Sequence, residues 1–137
     1  MVSIVDYGMG NLLSVSNAVE MVGTEAEICR KPEELKGAER IILPGVGAFR
    51  DCMASLRKGG FVEALEEAVF KEGKPILGIC LGMQAMTRRS FEGGEFDGLG
   101  WFEADVVRLT PIGSTELNLS SQEPSIFLRK LRLPKSF

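Results

Sequence analysis

PILGICLGMQ, residues 75–84, is an apolar run that carries a cysteine between two glycines. Lys74-Pro75 punctuates the chain, and Ile76, Leu77 and Ile79 then read as a short strand that is apolar on both faces. After Cys80 the residues change to Leu81, Met83, Gln84, Ala85 and Met86, all good helix formers. Cys80 therefore falls at a strand-to-helix junction. A small buried hydrophobe needs no glycine on either side, so Gly78 and Gly82 point to a backbone constraint. G-x-C-x-G has the spacing of the G-x-S-x-G nucleophile elbow. In that turn the nucleophile is held in a strained conformation, and small neighbours let strand and helix approach closely. The N-terminus of a helix favours a thiolate, and the N–H of Leu81 points to where an oxyanion would form. Taken alone, the motif fits equally well a buried cysteine in a parallel strand with incidental glycines.

The pattern around this junction decides between fold classes. VSIVD (2–6) reads as a short apolar strand and YGMGN (7–11) as a glycine loop. Asn11 can cap a helix whose face is Leu12, Val15, Val19 and Val22, with Gly23 ending it. EAEIC (25–29) is a weaker strand, and Lys31-Pro32-Glu33-Glu34 a turn into a short helix with proline near its first turn. RIIL (40–43) is a buried strand leading into PGVG (44–47). Residues 48–60 read as a helix closed by Gly59, and Phe61, Leu65, Ala68 and Val69 mark another that ends at Gly73. Strands thus alternate with helices, which predicts a doubly wound α/β fold: a mostly parallel sheet with helices on both faces. Such sheets bind ligands at the carboxyl ends of their strands. Three loops fall there, 7–11, 44–47 and 80–82, a clustering unexpected of a cysteine that only fills a core. Residues 88–100 read as a polar, glycine-rich loop, and 101–109 as an antiparallel strand.

With 137 residues, 45% of them hydrophobic, the chain suffices for one domain with a modest core. A net charge of −3 without a long basic run gives no support to nucleic acid as a partner. No stretch is long and apolar enough to span a membrane, and MVSIVDYGMG has no basic region of a secretory signal, so the expected compartment is the cytoplasm. Cys29, Cys52 and Cys80 have no metal-like spacing, and three is an odd number for a disulfide framework. No metal or cofactor is expected. Cys29 and Cys52 read as ordinary, part-buried thiols. There is no histidine, so the usual Cys–His activation of a thiol cannot arise within these residues. Residues 1–110 hold 17 acidic and 12 basic side chains, and residues 111–137 hold 2 and 4. No strand–helix alternation continues into 111–137. This separates the main part of a domain, 1–110, from an atypical segment, 111–137.

IVDYGMGNLLSVSNA, ILPGVGAF and GKPILGICLGMQ together resemble the glutamine amidotransferase subunit of imidazole glycerol phosphate synthase, a branch of the class I (triad) glutamine amidotransferases. G-x-C-x-G is shared across that superfamily, and DYGMGN with LPGVGAF narrows the resemblance, over roughly residues 2–109, to this branch. The resemblance implies the class I amidotransferase fold and hydrolysis of glutamine to glutamate and ammonia. Cys80 would attack the side-chain amide and form a thioester that water resolves. Leu81 N–H would be one oxyanion donor. The loop containing Val46 and Gly47 would supply the other, in some members after a peptide flip driven by the partner. Gly45 and Gln84 match substrate-contacting positions, and Glu92 an acidic residue that binds the substrate's α-amino group. The implied partner is a (β/α)8-barrel cyclase subunit that takes the ammonia, faced by Tyr7, Gly8, Met9, Gly10, Asn11 and the elbow.

The departures bear on activity. The family's triad continues with a histidine and a glutamate in an F-H-P-E-like motif, and neither occurs here. STELNLSSQEPSIFLRKL stands where a PHMGWN-like segment would begin. The chain reads as a truncated family member, its fold incomplete at the C-terminus, or as one whose reading frame or splicing diverges near residue 117. TRRS (87–90) is also more basic than the acidic stretch common there. Two other readings compete: a non-catalytic α/β module that binds the cyclase or a small ligand, and another elbow-fold protein such as a cysteine hydrolase or chaperone. DYGMGN argues against the last.

Overall fold

The computed structural model describes residues 1–108. The segment 111–137, set apart above by its charge, lies outside the described residues. In chain order the elements are β1 (Val2–Val5), α1 (Leu12–Met21), β2 (Ala26–Cys29), a 3-10 helix (Pro32–Gly37), β3 (Arg40–Leu43), α2 (Phe49–Lys58) and α3 (Phe61–Glu66), which runs on as a π-helical turn (Glu67–Lys71). Then follow β4 (Ile76–Gly78), α4 (Leu81–Ala85), β5 (Thr87–Ser90), β6 (Phe96–Asp97) and β7 (Phe102–Val106).

The strands β1 to β4 form one parallel sheet in the order β2-β1-β3-β4. Strand alternation sends its residues to two cores. Val5, Ile41 and Leu43 face Phe49, Cys52, Met53 and Leu56 of α2, Leu65 of α3, and Leu81 and Ala85 of α4. Val2, Ile4 and Ile42 face Val19, with Leu12 and Val15 of α1 packed alongside. Helices therefore cover both faces, as the alternation of elements requires. Each fully buried Ile, Leu or Phe contributes about 1.5–3 kcal/mol, so the larger core carries most of the stability. Asn11 caps α1 by accepting a hydrogen bond from Ser14 N–H at 3.2 Å.

Several expectations are corrected. β4 is not covered on both faces: Leu77 is 57% exposed and Ile79 is 37% exposed, because α1 lies over β1 and β2 and does not reach β4 among the described residues. Residues 88–100 are not a simple loop. TRRS is β5, and it pairs antiparallel with β6. β7 runs parallel to β5, not antiparallel. The reason is local. Residues 98–102 turn back so that Leu99 N–H donates to Ala85 O (2.8 Å), and the N–H groups of Trp101 and Phe102 donate to Met86 O (2.9 and 3.1 Å). This satisfies the open carbonyls at the end of α4 and starts β7 alongside β5. The arginines of TRRS serve this small sheet. Arg88 makes a two-pronged ion pair with Asp105 (2.9 and 2.7 Å), and Arg89 pairs with Glu95 (2.8 Å).

Cys29 and Cys52 are fully buried, more so than their sequence context suggested. Burial, followed by the nearby charge of Glu34, pushes the Cys29 thiol up to about 11. Burial also raises Cys52. Burial raises the Tyr7 phenol beyond its ordinary range. All three groups hold their protons in the folded state where the unfolded chain would release them. Stability is therefore full below an unfolded thiol pKa of about 8.5 and is lost as pH rises toward the folded values. Melting temperature should fall steadily between about pH 8.5 and 11. Cys29→Ala should lower it at neutral pH and flatten its dependence over the same window. A melting temperature independent of pH across that range would contradict the burial of these groups.

Candidate active site

Because β1, β3 and β4 are parallel, the loops that follow them leave the same end of the sheet, and they are joined by backbone. Tyr7, after β1, donates its hydroxyl proton to Pro44 O at 2.8 Å. Leu81 N–H, at the start of α4, donates to Gly45 O at 3.3 Å. A Cβ on Gly45 would lie 2.5 Å from the Tyr7 hydroxyl, 2.8 Å from Gly82 N and 2.9 Å from Leu81 Cβ, so only glycine fits between the two neighbouring loops. β2 and β3 flank β1 on opposite sides, so these loops stand at the carboxyl end of the strands, where a doubly wound sheet binds ligands.

Cys80 has φ 53 and ψ −116 and is the one non-glycine residue with a positive φ among the described residues. Such a conformation costs about 1–3 kcal/mol and persists only where its surroundings over-determine it. Here they do. Ile79 N–H donates to Leu43 O, Gly82 N–H to Ile79 O and Gln84 N–H to Cys80 O, each at 3.0 Å. The glycines allow the tight fit. A Cβ on Gly78 would lie 2.6 Å from Met83 Cα, and one on Gly82 would lie 1.9 Å from Leu43 O. The glycines flanking Cys80 are thus steric necessities, and the thiol is exposed. The reading of Cys80 as a buried core cysteine is excluded.

The structure brings Cys80, Leu81, Gly45 and Tyr7 together. Val46 is 55% exposed, and Gly47, with φ 109, meets Met9. Gln84 is half-buried on α4, one turn beyond Cys80. Glu92 is exposed in the turn between β5 and β6, where its own N–H donates to Ser90 Oγ at 3.2 Å. No hydrogen bond or ion pair joins it to Cys80 or Gln84 among the described residues. Tyr7 departs from its grouping with a partner-facing loop. Its side chain is 8% exposed and turns inward, with its hydroxyl 3.3 Å from Cys52 Sγ. Gly8 and Asn11 remain exposed. Sequence reasoning missed this inward role because nothing in DYGMGN says which of its side chains points into the core. Among the described residues no cluster of His, Cys, Asp or Glu could hold a metal ion.

A thiol on a strained elbow, beside a glycine loop at the carboxyl edge of a parallel sheet, is the arrangement of an acyl-transferring nucleophile. The chain belongs to the class-I glutamine amidotransferase family, whose sequence model matches residues 3–128. It is similar to the imidazole glycerol phosphate synthase subunit HisH 1 of Campylobacter jejuni, 42% identical over 132 residues that cover 90% of this chain and 66% of that one. The corresponding HisH subunit of Geobacter sulfurreducens is 50% identical over 115 residues, covering 84% of this chain and 54% of that one. A solved structure described as a glutamine amidotransferase superposes with a TM-score of 0.67 at 27% identity, covering 79% of this chain and 57% of that one. The chain thus spans between about half and two thirds of the length of these relatives.

Two outcomes follow from the elbow. Cys80→Gly should be more stable than Cys80→Ala by about 1 kcal/mol, the reverse of the usual order, because only glycine relieves the positive φ. Denaturant unfolding of the two variants measures it, and a more stable alanine variant would show that the turn is unstrained. In the folded protein at neutral pH, a thiol reagent followed by peptide mapping should label Cys80 before Cys29 and Cys52. Prior labelling at either buried thiol would contradict the accessibility described here.

Proposed function

We propose that Cys80 is the nucleophile of a glutaminase site of the imidazole glycerol phosphate synthase kind. The observation that carries this reading is the positive φ of Cys80 between two glycines that admit no Cβ, next to a loop whose Gly45 carbonyl accepts from Leu81 N–H. The Cys80 thiolate attacks the side-chain carboxamide carbon of glutamine, and the carbonyl oxygen becomes an oxyanion. On collapse the carbon–nitrogen bond breaks, the leaving nitrogen takes up a proton and departs as ammonia, and a thioester remains at Cys80. Water then releases glutamate and the thiol. Gln84 and Glu92 contact the substrate, with the Glu92 carboxylate binding the α-amino group of glutamine.

The oxyanion hole is closed in the conformation described. Leu81 N–H is engaged by the Gly45 carbonyl at 3.3 Å, so the donor meant for the oxyanion faces an acceptor of the chain itself. Turning the Gly45–Val46 peptide removes that carbonyl and brings in the N–H of Val46, with Gly47 adjacent. A glycine on each side of Val46 allows such a turn without side-chain hindrance. A partner that favours the turned peptide couples glutamine hydrolysis to its own readiness for ammonia. A cyclase subunit of (β/α)8-barrel fold suits that part, docked over Gly8, Met9, Gly10, Asn11 and the elbow as a heterodimer in the cytoplasm. The ammonia would serve the ring-forming lyase step of histidine biosynthesis.

These 137 residues contain no histidine, so they hold the nucleophile and oxyanion-hole half of the site without its general acid–base. Protonating the departing ammonia and deprotonating the incoming water need a group that titrates near neutrality. Incubated with glutamine and a cyclase subunit with its nucleotide ligand, the chain should release glutamate ~10²–10⁴-fold more slowly than a histidine-bearing relative, the usual cost of losing general acid–base catalysis. Equal rates would show that the histidine is dispensable and this assignment of roles wrong.

A further inference from the structure

Pro44 is the point at which the loop after β3 is tied to the core. Its carbonyl accepts the Tyr7 hydroxyl proton at 2.8 Å, and the Tyr7 oxygen lies 3.3 Å from Cys52 Sγ. A phenol has one proton to give. With that proton on Pro44 O, the Cys52 thiol donates to Tyr7, and a directed chain runs from α2 through Tyr7 to the loop. Tyr7 is 8% exposed and Cys52 is fully buried, and both bonds are buried. The Pro44 carbonyl belongs to the peptide immediately before the one whose carbonyl covers Leu81 N–H.

We propose that Tyr7 is a positioning residue for the oxyanion hole: by pinning the Pro44 carbonyl it confines rotation of the 44–47 loop to the Gly45–Val46 peptide. The inference rests on the reading of Cys80 and this loop as a thioester-forming site. Upstream of the turning peptide, the Pro44–Gly45 peptide is held by Tyr7. Gly10 packs against the Pro44 ring, where a Cβ would lie 3.1 Å from Pro44 Cγ. Downstream, the exposed side chain of Val46 meets no resistance, and Gly47 at φ 109 absorbs the change. Without the Tyr7 bond the two peptides turn together, and the Val46 N–H is no longer aimed at the position beside Leu81 N–H.

The test compares two reactions of Cys80 in the full 137-residue chain, with a cyclase subunit and its nucleotide ligand present so that the turned peptide is favoured. A chloromethyl ketone analogue of glutamine reacts through a tetrahedral oxyanion and needs the hole. Methyl methanethiosulfonate exchanges with the thiol directly and does not. Tyr7→Phe should lower the ketone-to-thiosulfonate rate ratio about tenfold, short of the ~10²–10³-fold cost of deleting an oxyanion donor, and leave the thiosulfonate rate unchanged. Cys29→Ala, a core truncation away from the site, should melt earlier with the ratio intact. A Tyr7→Phe ratio equal to wild type overturns the proposal, as does a Cys29→Ala ratio that falls equally far, since the effect would then be one of stability alone. A wild-type ratio no higher than that of a free cysteine derivative would overturn the reading of the site itself, and this inference with it.

Discussion

At Gly82 the first turn of α4 lies so close to the end of β3 that a Cβ there would stand 1.9 Å from the Leu43 carbonyl oxygen. Much of the site depends on this approach. It brings Leu81 N–H within reach of Gly45 O, and the same Leu43 oxygen accepts from Ile79 N–H just before the elbow. Between these contacts the chain must reverse from strand to helix in very few residues. The positive φ of Cys80 is the geometric consequence. Strain at Cys80 is therefore not a local peculiarity of the cysteine. It is imposed by helix-to-strand packing that two glycines make available, and the backbone hydrogen bonds on either side offset its cost.

The loop 44–47 sits between two kinds of constraint. On one side a buried polar chain from Cys52 through Tyr7 fixes the Pro44 carbonyl, and in a low-dielectric interior such bonds are costly to break. On the other side Val46 is exposed and flanked by glycines. A short segment that passes from rigid to free within two residues is suited to a single local rearrangement. Glutaminase chemistry in the proposed form needs this combination: an oxyanion hole that stays closed at rest, with a donor already engaged, and that opens by turning one peptide. A loop mobile throughout would not aim its donors, and one fixed throughout would not respond to a partner.

The small sheet formed by β5, β6 and β7 extends this frame. Its first strand follows α4 directly, and residues 98–102 return to cap that helix's carbonyls. Trp101 packs edge-on against Phe70, with ring centroids 5.1 Å apart, which ties the return to the π-helical turn after α3. The far end of a helix only five residues long is held in this way, so the elbow at its near end does not depend on helix propensity, which is marginal at that length.

Much of the architecture was legible in the sequence. Short apolar runs alternate with helical periodicity, and a parallel sheet with helices on both faces follows, because no other arrangement buries both faces of such strands. The elbow was legible for a similar reason: glycines two residues either side of a cysteine at a strand–helix junction encode a close approach, which is a local property. Tertiary structure alone decided the rest. It turned Tyr7 inward onto Pro44 and Cys52, residues 37 and 45 positions away, and no local pattern announces a contact at that separation. It left Leu77 and Ile79 exposed, since the reach of α1 across the sheet depends on strand order. It also made β7 parallel to β5, because its direction was set by which carbonyls at the end of α4 needed donors. Sequence determined which residues have the chemistry and the conformational freedom. Long-range packing determined which of them meet, since those contacts depend on where distant segments lie once the sheet has formed.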